Sequence, residues 1–204
     1  MKWKNTLERH IVMAISLLQK QLDRTVMFLD MGGQYENIED IFHIEELIDK
    51  ELDIISTLAT DFLSNIDNKT EIFSILTLLQ LAIRIEESSD IILSNIRMFR
   101  ELSSIPNYAA SLLRQMLEIL KETYGDLIPL STQFKLKPEQ RDRIIDIQYR
   151  QITQELEERD LPRSCLISLG RISRQIEIIG DAAKDTIRLK QKYLDALEKL
   201  NRGK

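Results

Sequence analysis

One apolar stripe, present twice, constrains what this chain can fold into. Leu78, Leu81, Ile85, Ile92 and Ile96 return 91 residues later as Leu169, Ile172, Ile176, Ala183 and Ile187, and every position stays apolar. At about 100° per residue each set keeps to a narrow arc of an α-helix, so each marks the core-facing side of a helix in a repeated unit. Glycine and proline fall mainly where this periodicity stops. The pattern predicts six helices, roughly Thr6 to Leu29, Glu36 to Asn65, Thr70 to Leu102, Tyr108 to Leu127, Pro138 to Glu158 and Pro162 to Leu200. The breaks are Met31-Gly32-Gly33, Asp67-Asn68-Lys69, Ser104-Ile105-Pro106-Asn107, the Pro129 to Lys137 stretch and Arg159-Asp160-Leu161-Pro162. The expected architecture is all-α: two tandem three-helix bundles end to end, residues 1–104 and 105–204.

Charge narrows the function classes. There are 28 Lys and Arg against 33 Asp and Glu, a net charge of −5, which argues against binding a nucleic-acid backbone. Cys165 is the one cysteine, so neither a disulfide framework nor a Cys-rich zinc module is available. The N-terminus lacks an apolar signal segment, and the stretch Ile72 to Ile85 is interrupted by Ser74, Thr77, Gln80 and Arg84, short of the ~18 apolar residues of a membrane span. The expected location is the cytoplasm.

The repeat also carries acids. Glu86 and Asp90 map onto Glu177 and Asp181, about 100° around the helix from the core stripe. The preceding helices carry Asp49 with Asp53 and Asp142 with Asp146. The spans 53 to 86 and 49 to 90 share a midpoint between Lys69 and Thr70; 146 to 177 and 142 to 181 share one between Leu161 and Pro162. An antiparallel hairpin about each turn therefore brings four carboxylates to one height on each bundle. At ~5 Å and an effective dielectric of ~20 each pair repels by about 3 kcal/mol. Three outcomes relieve that: the acids splay into water, they recruit Lys50, Arg84, Arg174 or Lys184, or they bind a hard cation, oxygen donors favouring Mg, Mn, Fe or Ca with zinc kept among them.

The segment Arg174-Gln175-Ile176-Glu177-Ile178-Ile179-Gly180-Asp181-Ala182-Ala183 resembles the signature of the PhoU family of phosphate-uptake regulators, leucine-glutamate-arginine-isoleucine-glycine-aspartate. That resemblance implies the motif once per three-helix repeat, with acids of the preceding helix completing a multinuclear iron or zinc cluster. Magnesium, manganese and nickel are further candidates. The implied ligands are Asp49, Asp53, Glu86 and Asp90 in one cluster and Asp142, Asp146, Glu177 and Asp181 in the other. It also implies regulation without catalysis, by docking to a membrane phosphate transporter and to a sensor histidine kinase. The first copy, Ile85-Glu86-Glu87-Ser88-Ser89-Asp90, keeps only the acids. Ile178 replaces an arginine in the second, and Ser94 and Asp185 stand where asparagine is usual. The aspartate-leucine-arginine that opens the family's third helix is missing at Thr70-Glu71-Ile72 and only approximated by Asp160-Leu161-Pro162-Arg163. The chain reads as a divergent relative.

Two further functions fit the same residues: a metal-free helical adaptor, and a metal-dependent phosphohydrolase, for which an open helix surface is poorly suited. No phosphate loop, nucleotide fingerprint or catalytic triad is present. His10 and His43 read as helix-surface histidines and Cys165 as a packed thiol. Met13, Met27, Met98 and Met116 read as core fillers. Trp3, between Lys2 and Lys4, reads as an interfacial anchor or part of a frayed end, and Lys190 to Lys204 as a solvated helix end. Surface apolar residues fit self-association as a homodimer.

Overall fold

Asn68 shows how local sequence sets the first hairpin. Its side-chain oxygen accepts hydrogen bonds from the backbone N–H of Thr70 at 2.9 Å and of Glu71 at 3.2 Å, capping the start of the next helix. The computed structural model describes residues 2–31, 38–102, 105–128, 130 and 138–202. Within them lie six helices: α1 Lys2–Asp30, α2 Glu39–Leu63, α3 Lys69–Glu101, α4 Asn107–Gly125, α5 Pro138–Glu158 and α6 Arg163–Arg202. Gly32, Gly33, Glu36, Ser104 and most of the Pro129 to Lys137 break lie outside the described residues.

The repeated stripe is buried in both copies, from Leu78 to Ile96 on α3 and from Leu169 to Ile187 on α6. Helices α1, α2 and α3 pack on one another, as do α4, α5 and α6. These trios lie side by side and not end to end. α3 runs antiparallel along α6, with Phe73 near Ala196, Ile83 near Leu189 and Ser94 near Gly170. α1 runs antiparallel along α4, where Asp30 pairs with Arg114 at 3.3 Å and Asp23 with Lys121. The reason is visible on α3, whose buried residues Ser74, Ile75, Thr77, Leu78, Ser88 and Ser89 cover more than one stripe. A helix apolar on one arc needs one neighbour; α3 buries enough of its circumference to need several. A single core cluster therefore runs through all six helices. Polar links cross between the trios as well: Ser88 Oγ with the Tyr124 hydroxyl at 2.7 Å in the interior, and, partly buried, the Tyr193 hydroxyl donating to Glu8 at 3.0 Å.

Several expectations change. Trp3 is 3% exposed and its indole N–H donates to Glu71 Oε2 at 2.7 Å, so it is neither an anchor nor frayed; α1 is already helical there. Met13 and Met27 are 51% and 42% exposed. The α1 core positions are Leu7, Ile11, Ala14, Ile15, Leu18 and Leu22, and Met13 lies about 200° from Ile11, facing out. Met116 is buried as expected and Met98 partly so. Lys190 is fully buried and belongs to the core, not to a solvated end.

Gly180 lies where α6 crosses α5. A Cβ there would meet Ile145 Cδ1 at 3.1 Å and Cγ2 at 3.2 Å. Gly180→Val is expected to destabilise by about 1 kcal/mol, because overpacking of 1–3 kcal/mol exceeds the few tenths regained in helix propensity. Urea unfolding measures it, and a variant as stable as the parent would mean that α5 gives way freely.

Candidate metal centre

The α2–α3 hairpin sets Asp49 against Asp90. Burial raises the Asp49 carboxyl above its usual range, and the charges of Asp90, Asp53 and Glu46 raise it further. Glu86 is raised by burial, then by Asp90 and Asp49. Glu45 joins them: burial raises it first, then Asp49 and Asp90, with Arg97 opposing. Sequence reasoning missed Glu45, although Glu45, Asp49 and Asp53 form an i, i+4, i+8 stripe on α2. The opposing cation, Arg97, stacks 5.8 Å from the Phe42 ring. Arg84 turns instead to Glu87 at 2.7 Å. Among the described residues no ion pair is made by Glu45, Asp49, Asp53, Glu86 or Asp90.

The α5–α6 hairpin brings Asp142, Asp146, Glu177 and Asp181 to a second group with a different balance. Glu177 is raised by burial, while Arg174 lowers it and Asp181 and Asp146 raise it. Arg174 pairs directly with Glu177. Lys184 Nζ donates to Asp142 Oδ2 at 2.5 Å, and that bond, with the charge of Asp181, holds the ammonium above its usual range.

The donor chemistry of the first group fits a hard cation: carboxylate oxygens from two helices, mutually repelling and without a partner. As the side chains stand, no three His, Cys, Asp or Glu among the described residues are placed to hold one ion. Binding would draw Asp49, Glu86 and Asp90 inward, a rotamer change open to carboxylates on a solvent-facing flank. The second group already spends two carboxylates on internal cations.

The self-repulsion has a readable consequence. Asp49, Glu86 and Glu45 hold protons more tightly in the folded chain than in the unfolded one. Stability therefore falls as pH rises through their raised range. The cation-free chain is expected to melt at higher temperature as pH drops from 7 toward about 5, above the ordinary carboxylate range near 4. Exposure limits each pair to about 0.2–1 kcal/mol. Asp90→Asn should flatten the slope; melting at several pH values tests it, and an unchanged slope would mean that Asp90 is not in the repelling group.

His10 Nδ1 lies 2.7 Å from Glu51 on α2, partly buried, and His43 sits exposed 3.6 Å from Glu46. Burial raises the half-buried Cys165 thiol, which suits packing better than nucleophilic chemistry.

Six helices in two packed trios, each with an acidic group across its second and third helices, define the class: an all-α protein with a PhoU-like fold. Among solved structures the chain is similar to PhoU from Pseudomonas aeruginosa, with a TM-score of 0.75 and 18% identity, covering 95% of this chain and 98% of that one. No protein-family model matches the sequence, and no curated protein matches it. Among the described residues no helix is long and apolar enough to cross a membrane.

Proposed function

We propose that this chain is a non-catalytic regulator of phosphate transport and phosphate signalling, working as a cytoplasmic helical docking protein. The observation that carries the reading is the shared fold over nearly the whole of both chains. The uncompensated acids of α2 and α3, at positions of the repeat that resemble the family's, support it further. Asp49, Asp53, Glu86 and Asp90 would hold iron, zinc or another hard cation, with Glu45 beside them. Bound there, the ion supplies positive charge that relieves their repulsion and fixes the spacing of α2 and α3.

The partners of this reading are a membrane phosphate transporter and a sensor histidine kinase. Exposed Phe73, Leu76 and Ile83 on α3, with Ile167 and Ile178 on α6, offer apolar contact area of the kind docking uses. The grooves along the α3–α6 seam, about 360 and 560 Å³, are lined by none of the eight candidate carboxylates, which disfavours the phosphohydrolase reading. Affinity capture from phosphate-starved and phosphate-replete cells tests the role: a transporter or kinase component should be recovered in a phosphate-dependent manner, and recovery of neither in either state would overturn it. Elemental analysis of the purified chain tests the ion, which Asp49→Asn with Asp90→Asn should abolish. A chain that carries no metal and takes up none would be the metal-free adaptor.

A further inference from the structure

The repeat makes a difference between the two acidic groups visible position by position. Lys184 and Arg174, the cations of the second group, correspond 91 residues earlier to Leu93 and Ile83. The first half therefore has the acids without the cations. In the second half the Lys184 ammonium and the Asp142 carboxylate are mostly shielded from water, with side-chain exposures of 23% and 17%. A charge-assisted bond in such surroundings is stronger than its exposed equivalent, and removing one partner strands the other in a desolvated place.

Behind this pair α4, α5 and α6 pack closely: a gap of about 10 Å³ lined by Thr123, Arg141, Ile145, Gly180 and Ile187 has room for roughly one water molecule, so the Lys184–Asp142 bond backs onto the packed interior. Arg141 brings a further positive charge to this wall, bonded to Asp126 at 2.8 Å.

We infer that the second acidic group takes no metal, because Lys184 and Arg174 stand in the cation's place, so the chain has one cation-binding group where its two-fold repeat implies two. Between them the two cations do in the second half what an ion would do in the first: Lys184 of α6 bonds Asp142 of α5 and ties the two helices together, and Arg174 neutralises Glu177 within α6. Part of this rests on the proposed function, namely that the first group binds an ion. The closure of the second group stands on the Lys184 and Arg174 contacts alone.

The test is titration of the full-length, metal-stripped chain with Mn²⁺, followed by calorimetry and by metal content after gel filtration. The variants are Asp90→Asn, Asp181→Asn and the double variant Arg174→Ile with Lys184→Leu, which copies the first half into the second. Wild-type binding should be unaffected by Asp181→Asn and weakened at least tenfold by Asp90→Asn. The double variant should gain Mn²⁺ binding that Asp181→Asn then removes. Wild-type binding that Asp181→Asn weakens tenfold would overturn the inference, as would a double variant that gains none. Circular dichroism checks folding, and Lys184→Gln, which keeps an N–H donor on a side chain one bond shorter and removes the charge, replaces the double variant if that one does not fold. A wild type that binds no Mn²⁺ beside a double variant that does would sink the metal reading of the first group and leave the closure of the second standing.

Discussion

Trp3→Ala is expected to lower the stability of the chain by about 3–5 kcal/mol, the cost of emptying a buried aromatic site. The indole is 3% exposed and part of the common core, at the point where the first turn of α1 meets the first turn of α3. Removing it opens a cavity and leaves the Glu71 carboxylate without the N–H that it accepts at 2.7 Å. Trp3→Phe separates the two contributions: most of the burial stays, and the loss should fall to the 1.5–3 kcal/mol of a hydrogen bond to a charged group. For a chain of this size 1 kcal/mol moves the melting temperature by roughly 2–4 °C, so Trp3→Ala should melt at least about 6 °C lower. Met13→Ala, on the exposed side of the same helix, should stay within about 0.5 kcal/mol. A Trp3→Ala change as small as that of Met13→Ala would mean that the end of α1 is loose and that Trp3 is free to anchor elsewhere.

Trp3 also marks where reading the sequence stops. The α3 and α6 stripes were legible because burial along a helix is periodic, and a stripe of five apolar positions carries its own phase. Met13 was legible in the same way: its angle from Ile11 turns it outward, and weighing residue type above phase misplaces it. The burial of Trp3 has no local signal, since its partner Glu71 lies 68 residues away on another helix. The hairpin midpoints brought Asp49 to Asp90, because short connections leave little choice of register, but Glu86, which the midpoint matches to Asp53, meets the charges of Asp49 and Glu45 instead. They could not say which of Lys50, Arg84, Arg174 and Lys184 would be used. Arg84 and Arg174 each choose an acid three residues on along their own helix, Glu87 and Glu177, and only the second of these belongs to a candidate group. Lys184 instead crosses to Asp142, one turn beyond the level that the midpoint gives. Side-by-side packing of the trios was hidden for a related reason: it depends on how much of α3 is buried beyond its main stripe, and Ser74, Thr77, Ser88 and Ser89 do not look like core residues in a sequence.

Lys190 leads to the other large expected effect, on the alkaline side. Its side chain has no exposure, and its ammonium donates to the backbone carbonyl of Asp126 at 3.0 Å, at the C-terminal end of α4. The Asp126 carboxylate is occupied by Arg141. Burial accordingly lowers Lys190 from 10.5 to about 8, with Asp126 opposing only in part. Between those values the unfolded chain binds more protons than the folded one, so stability rises with pH. From pH 7 to about 9.5 the gain should be on the order of 2 kcal/mol, from the linkage of one such group. Cys165 works against it, because its raised thiol makes the folded chain hold a proton that the unfolded one gives up. A Cys165→Ala background removes that. Tyr124 and Tyr193, both raised by burial, oppose the gain only nearer the ordinary tyrosine value of about 10, which sets the upper end of the window. Urea unfolding across this range should show stability climbing in the Cys165→Ala chain and staying flat once Lys190→Met is added. A flat profile in both would mean that the ammonium stays charged in the core through pH 9.5, its burial compensated by the groups around it.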